Sequence, residues 1–267
     1  MSTSTTRIAI VGAAGRMGTS LLLNGANRDD IHLVAAIVKP GEVDGDVIGP
    51  QQTPVADDLQ FITEVDADVV IDFSTPASCI HAAQLCADAH IPFVSGTTGL
   101  DVAQLDVLVD LSRRISLLHS ANFSVGVNLL AHLVERAARG FGESVDIEIF
   151  EAHHRHKVDA PSGTAKLLGH AAAQGRGVEL DDVARWSREG HTGPRGSQEI
   201  GFQTLRGGDI VGEHTAYFCV DGERLELTHR ATDRGIFARG ALRAARWLST
   251  RSPGNYKMAD VIFGRNH

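Results

Sequence analysis

The stretch Arg7 to Gly18, RIAIVGAAGRMG, decides the fold of the first half of the chain. A short apolar run ends at Gly12, Gly15 and Gly18 follow at three-residue spacing, and an apolar helical pattern begins. A strand, a glycine turn and a helix in this order form the context in which backbone N–H groups bind a dinucleotide pyrophosphate. The spacing is GxxGxxG rather than GxGxxG, so a glycine turn that binds no cofactor is the alternative.

Similar apolar runs recur through the first half. They predict strands at His32–Val38, Val69–Phe73, Pro92–Val94 and Ser116–Leu118, with helices at Pro76–Ala89 and Asp101–Arg113. Short, continuous apolar strands that alternate with helices are typical of a parallel sheet covered on both faces. The fold class is therefore predicted to be α/β, with a Rossmann-like dinucleotide-binding domain.

The pattern changes after Asn122. Helices are predicted at Val125–Arg139, Lys166–Gln174 and Gly235–Leu248, strands at Val145–Glu151, Gln198–Leu205, Ile210–Val220 and Arg224–His229, and turns at Arg206–Asp209 and Asp221-Gly222. The Asp-Gly pair is a strong hairpin signal. We expect a mixed α+β domain for substrate binding and oligomerisation over residues 125–234. The dinucleotide-binding domain would span residues 1–124 and be completed by residues 235–267.

Composition and charge argue against several classes of function. The chain has 267 residues, a net charge of −8 and three scattered cysteines, which do not form a disulfide framework. Without a basic face a nucleic-acid partner is not expected, and no apolar run approaches the roughly 20 residues of a membrane span. The N-terminus lacks the apolar core of a signal peptide. We therefore expect a cytoplasmic protein with no membrane partner.

Ionisable side chains are most concentrated in residues 151–165, EAHHRHKVDAPSGTA. Histidines and a lysine there could donate protons or pair with an acidic ligand. Ser162 is a candidate helix cap, and the N–H groups of the helix that it opens would form an anion site. His153, His154 and His156 could also suggest a metal site. Neighbouring strand residues point to opposite faces, however, so no metal is expected.

Loops at the carboxyl ends of the predicted strands would line the cofactor crevice. The loops Gly96–Thr98 and Ser120–Phe123 have this placement. The second strand ends in Val38 and Lys39, without the usual ribose-binding carboxylate. Lys39 and Arg16 could hold the 2′-phosphate of NADPH. Lys39 could equally be a solvated surface lysine, and the later residues Glu42 and Asp44 could bind the ribose instead.

The segment EAHHRHKVDAPSGTA closely resembles the signature of the bacterial 4-hydroxy-tetrahydrodipicolinate (dihydrodipicolinate) reductases of lysine and diaminopimelate biosynthesis. GAAGRMG, GTTG, ANFSVGVN, REGHTG and GDIVGEHT resemble the other motifs of that family, so the resemblance covers nearly the whole chain. It implies a homotetramer built through the central sheet, with a cyclic unsaturated dicarboxylate as substrate and NADPH, or NADH, as hydride donor. Closure of the two domains about residues 122–126 and 234–236 is the means by which we expect cofactor and substrate to be brought together.

The resemblance also implies site residues. His153 would be the catalytic acid/base and Lys157 a proton donor, and His154, Gly163 and Thr164 would bind substrate carboxylates beside Ser162. Contacts to the cofactor would come from Gly12, Ala13, Ala14, Gly15, Arg16, Met17, Gly96, Thr97, Thr98, Ser120, Ala121, Asn122 and Phe123. Many relatives carry an acidic residue where this chain has Val38, and Lys39 keeps the basic character of the next position.

Two other classes of function fit parts of the sequence. One is a different NAD(P)-dependent dehydrogenase of the same two-domain plan, acting on an aldehyde or a sugar. The other is a dinucleotide sensor without catalysis. A sensor has no need of the proton donors in residues 151–159, which favours an enzyme.

Overall fold

The computed structural model describes residues 5–43 and 45–264. Within these residues the chain forms two compact units. Unit 1 runs to Val125 and resumes at Gly235, and unit 2 spans Gly126–Arg234.

Unit 1 is built on an eight-stranded sheet with the order β13-β7-β6-β5-β1-β2-β4-β3. Its strands are β1 (Thr6–Val11), β2 (Ile31–Ile37), β3 (Val47–Ile48), β4 (Thr53–Ala56), β5 (Val69–Asp72), β6 (Phe93–Ser95), β7 (Ser116–His119) and β13 (Gly254–Tyr256). All neighbouring strands are parallel except the pair β3–β4. This sheet confirms the predicted Rossmann-like α/β class.

Helices cover both faces of this sheet. They are α1 (Arg16–Ala26), α2 (Pro76–Asp88), α3 (Val102–Leu111), α7 (Gly235–Leu248) and α8 (Met258–Phe263), with a 3₁₀ turn at Leu59–Thr63. Successive residues of β1 point to opposite faces. Ile8 and Ile10 pack into a core with α1 and α7, whereas Ala9 and Val11 pack with α2, including its buried Cys79 and Cys86. The continuous apolar strands are therefore explained by burial on both sides.

Unit 2 is built on a five-stranded mixed sheet with the order β12-β11-β8-β10-β9. Its strands are β8 (Asp146–His153), β9 (Ala184–Arg185), β10 (Ile200–Arg206), β11 (Gly212–Val220) and β12 (Glu223–Ala231). Strand β8 pairs parallel with β10 and antiparallel with β11. The Asp-Gly turn joins β11 to β12 as predicted, and Gly222 takes a positive φ of 87° there.

One face of the unit 2 sheet packs against two helices. These are α4 (Val125–Phe141), most of which belongs to unit 2, and α5 (Gly163–Arg176); a short helix, α6 (Leu180–Val183), and a 3₁₀ turn at Gly142–Ser144 complete the unit. The core between sheet and helices contains Ile147 and Ile149 of β8 with Leu130 of α4 and Leu168 of α5. The carboxyl end of β8 therefore leads directly into the turn from which α5 begins.

Candidate active site

The end of β8 places a glutamate and a histidine side by side on the helix-covered face of its sheet. Glu151 and His153 are two residues apart in the strand, so both point to this face. Both are buried, and His153 Nδ1 lies 2.6 Å from Glu151 Oε2. An ionised carboxylate can only accept hydrogen bonds. The neutral imidazole therefore carries its proton on Nδ1 and presents a lone pair at Nε2.

The Glu151 carboxylate ties several segments of unit 2 together. Arg206, at the end of β10, donates to it from both terminal nitrogens, each at 2.7 Å. The Ser162 N–H donates at 3.1 Å and the Thr204 hydroxyl at 3.3 Å. Burial alone would raise the pKa of Glu151, but hydrogen bonds from His153 and Arg206 outweigh burial and lower the pKa to about 2. Glu151 is therefore ionised at neutral pH and fixes the orientation of His153.

Arg206 is a residue of this site that the sequence did not reveal. The sequence placed it in a turn, whereas the structure makes it the last residue of β10, opposite His153 in the parallel register. Its hydrogen bonds to Glu151 raise the pKa of the guanidinium. The same side chain donates to the Asp159 carbonyl at 2.7 Å. Arg206 therefore holds the strand end and the following loop together.

Lys157 lies in the turn that follows β8. Its N–H donates to the His154 carbonyl at 3.1 Å, and its Nζ lies 2.7 Å from Asp159 Oδ1. The hydrogen bond from Lys157 lowers the pKa of Asp159. Only 20% of the Lys157 side chain is exposed, so the cation is held close to the end of the strand.

His154 points away from the Glu151 pair and contacts a second arginine. Its Nε2 lies 3.0 Å from a guanidinium nitrogen of Arg234, which can only donate. Nε2 is thus the acceptor, and the proton of the neutral ring is on Nδ1. Desolvation and the charge of Arg234 both lower the pKa of His154. Nδ1 is buried and has no hydrogen-bond partner among the described residues. His154 therefore has one buried N–H that no group among the described residues accepts.

The residues after Pro161 form the start of α5. Ser162 caps the helix, since its Oγ accepts a hydrogen bond from the Ala165 N–H at 3.2 Å. Gly163 and Thr164 are the first two residues of the helix. The N-terminus of a helix carries partial positive charge and favours an anion. The structure thus places a candidate carboxylate site directly after the Glu151–His153 pair.

The Ser162 hydroxyl itself is turned into unit 2. It is buried, and Oγ lies 3.0 Å from Nε2 of His214, a residue of β11. Sequence reasoning did not single out His214, because one histidine in an apolar strand has no local signal. Its place emerges only from the register, in which it lies opposite Glu151. The predicted substrate contact of Ser162 therefore cannot come from its hydroxyl, which is already used inside the protein.

A glycine keeps space beside the outer nitrogen of His153. A Cβ added to Gly212, at the start of β11, would lie 3.0 Å from His153 Nε2. This separation is shorter than ordinary van der Waals contact, so any side chain here would press on the imidazole. Gly212 leaves Nε2 uncovered on that side.

In unit 1 the glycine turn has the geometry of a nucleotide loop. Gly12 has a positive φ of 77°, and a Cβ there would collide with the Phe73 carbonyl. A Cβ on Gly18 would collide with the Gly12 carbonyl. No side chain caps α1, whose N-cap is Gly15. The turn therefore leaves backbone N–H groups and the helix N-terminus open to a pyrophosphate, and the residues present fit such a group.

The other residues of that turn divide between core and surface. Ala13 is buried in the core between α1 and α7, and Ala14 and Met17 pack against it. Arg16 is exposed in the first turn of α1. The side chains of Ala13, Ala14 and Met17 therefore support the loop, and their candidate phosphate contacts come from the backbone.

A buried carboxylate joins the loops at the carboxyl ends of β5 and β6. Asp72 accepts hydrogen bonds from the hydroxyls of Ser95 at 2.8 Å and Thr97 at 2.7 Å, and from the hydroxyl of Ser74. The Thr97 Oγ1 in turn accepts the Ser74 N–H at 2.9 Å, and the Thr97 carbonyl lies 2.9 Å from His119 Nε2. The Thr97 side chain is therefore occupied in holding the loops. Thr98 is exposed, and a Cβ on Gly96 would collide with the Phe73 ring.

The loop after β7 is held by its own polar groups. The Ser120 hydroxyl donates to the Asn122 carbonyl at 2.9 Å, and Ala121 is exposed at the tip. Phe123 is buried edge-on against Phe73, with ring centroids 5.6 Å apart. Any contact of Phe123 with a cofactor must therefore involve its backbone.

A cleft of about 350 Å³ opens at the ends of β1, β2 and β5. Gly12, Val38, Lys39 and Glu42 are among its lining residues, whereas Arg16 is not. Glu42 accepts a hydrogen bond from the Lys39 N–H at 3.0 Å, and its other oxygen lies 3.8 Å from Lys39 Nζ. The structure thus adds a carboxylate to the candidate phosphate site. The predicted alternative ribose ligand Asp44 lies outside the described residues.

No group of three or more His, Cys, Asp or Glu side chains in residues 5–43 and 45–264 is arranged to hold a metal ion. In the same part of the chain, no helix is both long enough and apolar enough to cross a membrane.

Comparison with known proteins decides the family. The family model described as "Dihydrodipicolinate reductase, N-terminus" matches residues 6–123, and that described as "Dihydrodipicolinate reductase, C-terminus" matches residues 126–262. The chain belongs to the dihydrodipicolinate reductase family. This confirms the resemblance seen in the sequence and makes the protein an oxidoreductase rather than a sensor.

Individual relatives agree with this family. The chain is 51% identical over 265 residues to the 4-hydroxy-tetrahydrodipicolinate reductase of Alkalilimnicola ehrlichii, covering 97% of this chain and 99% of the relative. It is 49% identical over 265 residues to the enzyme of the same name from Acinetobacter baumannii, covering 96% of each. Among solved structures, dipicolinate-bound dihydrodipicolinate reductase from Paenisporosarcina sp. TG-14 shares the fold, with a TM-score of 0.79 at 24% identity over 97% of this chain and 100% of that one.

Proposed function

We propose that this protein reduces 4-hydroxy-tetrahydrodipicolinate, or the dihydrodipicolinate derived from it, to tetrahydrodipicolinate in lysine and diaminopimelate biosynthesis. The observation that carries the proposal is the Glu151–His153 pair, which lies next to the N-terminus of α5. An acid–base residue and a carboxylate site are adjacent there, as a cyclic dicarboxylate substrate requires. The relatives that share about half of the sequence carry the corresponding name.

A bound pyridine nucleotide supplies the hydride in this reaction. Hydride addition to a conjugated ring carbon leaves negative charge elsewhere in the ring, and a proton must neutralise it. Lys157 and His153 are the two groups placed to give that proton; His153 would give it from Nε2 of the imidazolium and return to the neutral ring, whose remaining proton is on Nδ1. Glu151 stabilises the imidazolium and sets the ring orientation, since it is ionised and accepts from Nδ1.

The same segment binds the substrate carboxylates in this proposal. The start of α5 at Gly163 and Thr164 supplies N–H groups and a favourable dipole. His154 would add the Nδ1–H donor that its contact with Arg234 leaves on the ring, once the ring turns to expose the buried Nδ1 to the substrate. Ser162 does not bind the substrate through its hydroxyl, which is paired inside the protein; it caps the helix whose N–H groups bind the carboxylate.

Unit 1 binds the nucleotide in this proposal, and unit 2 binds the substrate. Residues 12–17 would hold the pyrophosphate, and the loops 96–98 and 120–123 would hold the nicotinamide half. We expect NADPH to be preferred over NADH. Lys39 reaches the 2′-phosphate once that phosphate replaces Glu42 as its partner. In the absence of a phosphate, Glu42 is the available acceptor for the ribose hydroxyls of NADH.

Assembly and location complete the proposal. The face of the unit 2 sheet opposite the helices contains Tyr217, Thr215 and Phe150 among charged residues, so it is mixed in character. Burial of this face between copies gives the homotetramer. A cytoplasmic location follows from the enzyme's use of the pyridine nucleotide pool.

The test is a coupled assay with freshly made substrate and either NADPH or NADH, followed by loss of dihydronicotinamide absorbance. His153→Gln should lower kcat by about 10²–10⁴-fold, the usual contribution of acid–base catalysis. The matched control is His156→Gln, since His156 is an exposed histidine three residues further on and should leave kcat unchanged. Failure of the wild-type protein to turn over the cyclic substrate with either nucleotide would refute the proposal.

The cofactor preference has its own test. Lys39→Ala should lower kcat/KM for NADPH by about tenfold, since a hydrogen bond to a charged group contributes about 1.5–3 kcal/mol. Kinetics with NADH should change little. Equal use of both nucleotides by the wild-type enzyme would contradict the preference and point to Glu42.

A further inference from the structure

His214 is a buried polar residue that the mechanism above does not use. It lies in β11, where the sheet register sets it opposite Glu151 of β8. Only 3% of His214 is exposed. Of its two ring nitrogens, Nδ1 is buried without a hydrogen-bond partner among the described residues, so the partner of Nε2 indicates the role of His214.

That partner is the residue that begins α5. His214 Nε2 lies 3.0 Å from Ser162 Oγ, and the contact stands in either tautomer because Nε2 can accept the serine proton or donate its own. The His214 ring also meets the His153 ring edge-on, with centroids 5.1 Å apart and an angle of 73°. One side chain thus contacts both the carboxylate site and the acid–base residue.

Ser162 is held to the sheet at two points. Its N–H donates to Glu151 of β8 at 3.1 Å, and its hydroxyl pairs with His214 of β11. The same hydroxyl accepts from Ala165 N and so starts the helix. The position of the α5 N-terminus relative to His153 therefore depends on Ser162, and the side chain of Ser162 depends on His214.

His214 is also suited to a static role by its charge state. Burial, together with the neighbouring His153, lowers the pKa of His214 to about 3. The ring is therefore neutral at neutral pH, where it neither repels a protonated His153 nor supplies a proton to the substrate.

We propose that His214 is a positioning residue that sets the substrate-carboxylate site by holding Ser162 against the sheet. It acts through Ser162 on the N-terminus of α5 and does not touch the substrate. This inference rests on the proposed function for the identity of the ligand and adds a residue to that site.

The test uses two amides of different reach. In His214→Gln the amide can occupy the position of Nε2 and pair with Ser162, whereas in His214→Asn it ends near the position of Nδ1. Both variants bury one amide, so a purely structural cost is similar in the two. Loss of a hydrogen bond of this kind corresponds to roughly a tenfold effect, so His214→Asn should raise the KM for the cyclic substrate about tenfold. His214→Gln should restore most of it, and the KM for NADPH should not change in either.

Direct binding is measured with pyridine-2,6-dicarboxylate by titration calorimetry, which needs no turnover. Ser162→Ala should weaken this binding at least as much as His214→Asn, because it also removes the helix cap, and the double variant should be no worse than Ser162→Ala. The matched control is His229→Asn in β12. His229 lies opposite His214 in the register but forms no hydrogen bond with Ser162 among the described residues.

The outcomes separate this inference from the proposed function. Equal dicarboxylate affinity in the Asn and Gln variants, or additive losses in the double variant, would overturn the role of His214 even if the wild-type enzyme is fully active. A wild-type protein that binds the dicarboxylate but does not turn over the cyclic substrate would overturn the proposed function. The calorimetric comparison would still decide the role of His214.

Discussion

Each unit of the molecule contains a fully buried carboxylate near the carboxyl end of a strand, and the two are satisfied differently. Glu151 in unit 2 is paired with the guanidinium of Arg206 and with His153. Asp72 in unit 1 is bonded by hydroxyl groups, and no cationic side chain within the described residues forms an ion pair with it.

The difference indicates what each unit requires. A guanidinium fork keeps Glu151 charged and rigid, which suits a residue that must orient a histidine and stabilise its protonated form. Neutral hydroxyls from separate loops hold Asp72, so this carboxylate serves to fix the loops relative to one another. At the candidate proton-transfer site the buried carboxylate therefore provides a fixed negative charge. At the candidate cofactor site the buried carboxylate holds the loops in place.

The change with the largest expected effect is Glu151→Gln. The amide can donate to His153 Nδ1 and so stabilise the wrong tautomer, and it leaves Arg206 without its counter-charge. We expect kcat to fall by about 10³–10⁴-fold, as when a buried acid that orients a catalytic histidine becomes an amide. Steady-state kinetics measure this effect. A loss below tenfold would show that Glu151 does not orient His153.

Arg206→Met tests the ion pair without altering the carboxylate. Removal of one partner from a buried pair costs about 3–5 kcal/mol, and the partial exposure of Arg206 places the expected loss near the lower end. Urea unfolding should show a lower midpoint, and kcat should fall less than in Glu151→Gln. Arg188→Met is the control, because Arg188 pairs with Glu148 on the other face of the sheet. Equal stability of the two variants would contradict the importance of the Arg206 pair.

Acid should weaken unit 2 through Glu151. Its pKa falls from 4.5 to about 2 on folding, so its contribution to stability is complete above pH 4.5 and is lost as the pH falls toward 2. The contribution is about 3 kcal/mol at neutral pH, since each pKa unit corresponds to about 1.4 kcal/mol. Unfolding free energies of wild type and Glu151→Gln should converge across this interval. Parallel curves for the two proteins would rule out this linkage.

The smallest effect is expected from Thr97→Val in unit 1. The change removes one donor to Asp72 and the acceptor of the Ser74 N–H, and a single neutral hydrogen bond contributes about 1 kcal/mol. The KM for NADPH should rise a few-fold while the KM for the dicarboxylate stays constant. Thr97→Ser retains the hydroxyl and should restore the KM. A rise in the KM for the dicarboxylate instead would contradict the assignment of Asp72 to the cofactor site and of Glu151 to the proton-transfer site.

Much of the fold could be predicted because its signals are local. The strand of residues 69–72 and the glycine turn follow from apolar runs and turn residues. The strands Val47–Ile48, Thr53–Ala56 and Gly254–Tyr256 were missed, because each is short and lacks an apolar run, and one contains a proline. Their pairing depends on neighbouring strands rather than on their own sequence.

In the candidate site, too, residues with a local sequence signal were predicted and residues placed by strand pairing were not. His153 and Lys157 were identified because they stand in a dense ionisable segment. Arg206 and His214 were missed because each becomes part of the site only through strand pairing with β8. Asp72 ends an apolar run, and the sequence could not show whether a polar residue at the end of a strand is buried or exposed. Residues that act on the substrate carry local signals, and those that position them depend on long-range contacts.

The interrupted course of unit 1 has a consequence for synthesis on the ribosome. Unit 2 is continuous, so all of it has been synthesised by Arg234. Unit 1 still lacks α7 at that point, and Leu242 and Leu248 of this helix are fully buried in its core. Its edge strand β13 comes later still. Since domains fold as units once their residues are available, the inserted unit can fold while its host sheet remains open on one side. The residues of unit 1 that precede unit 2 in the chain can thus reach their final packing after unit 2 has folded.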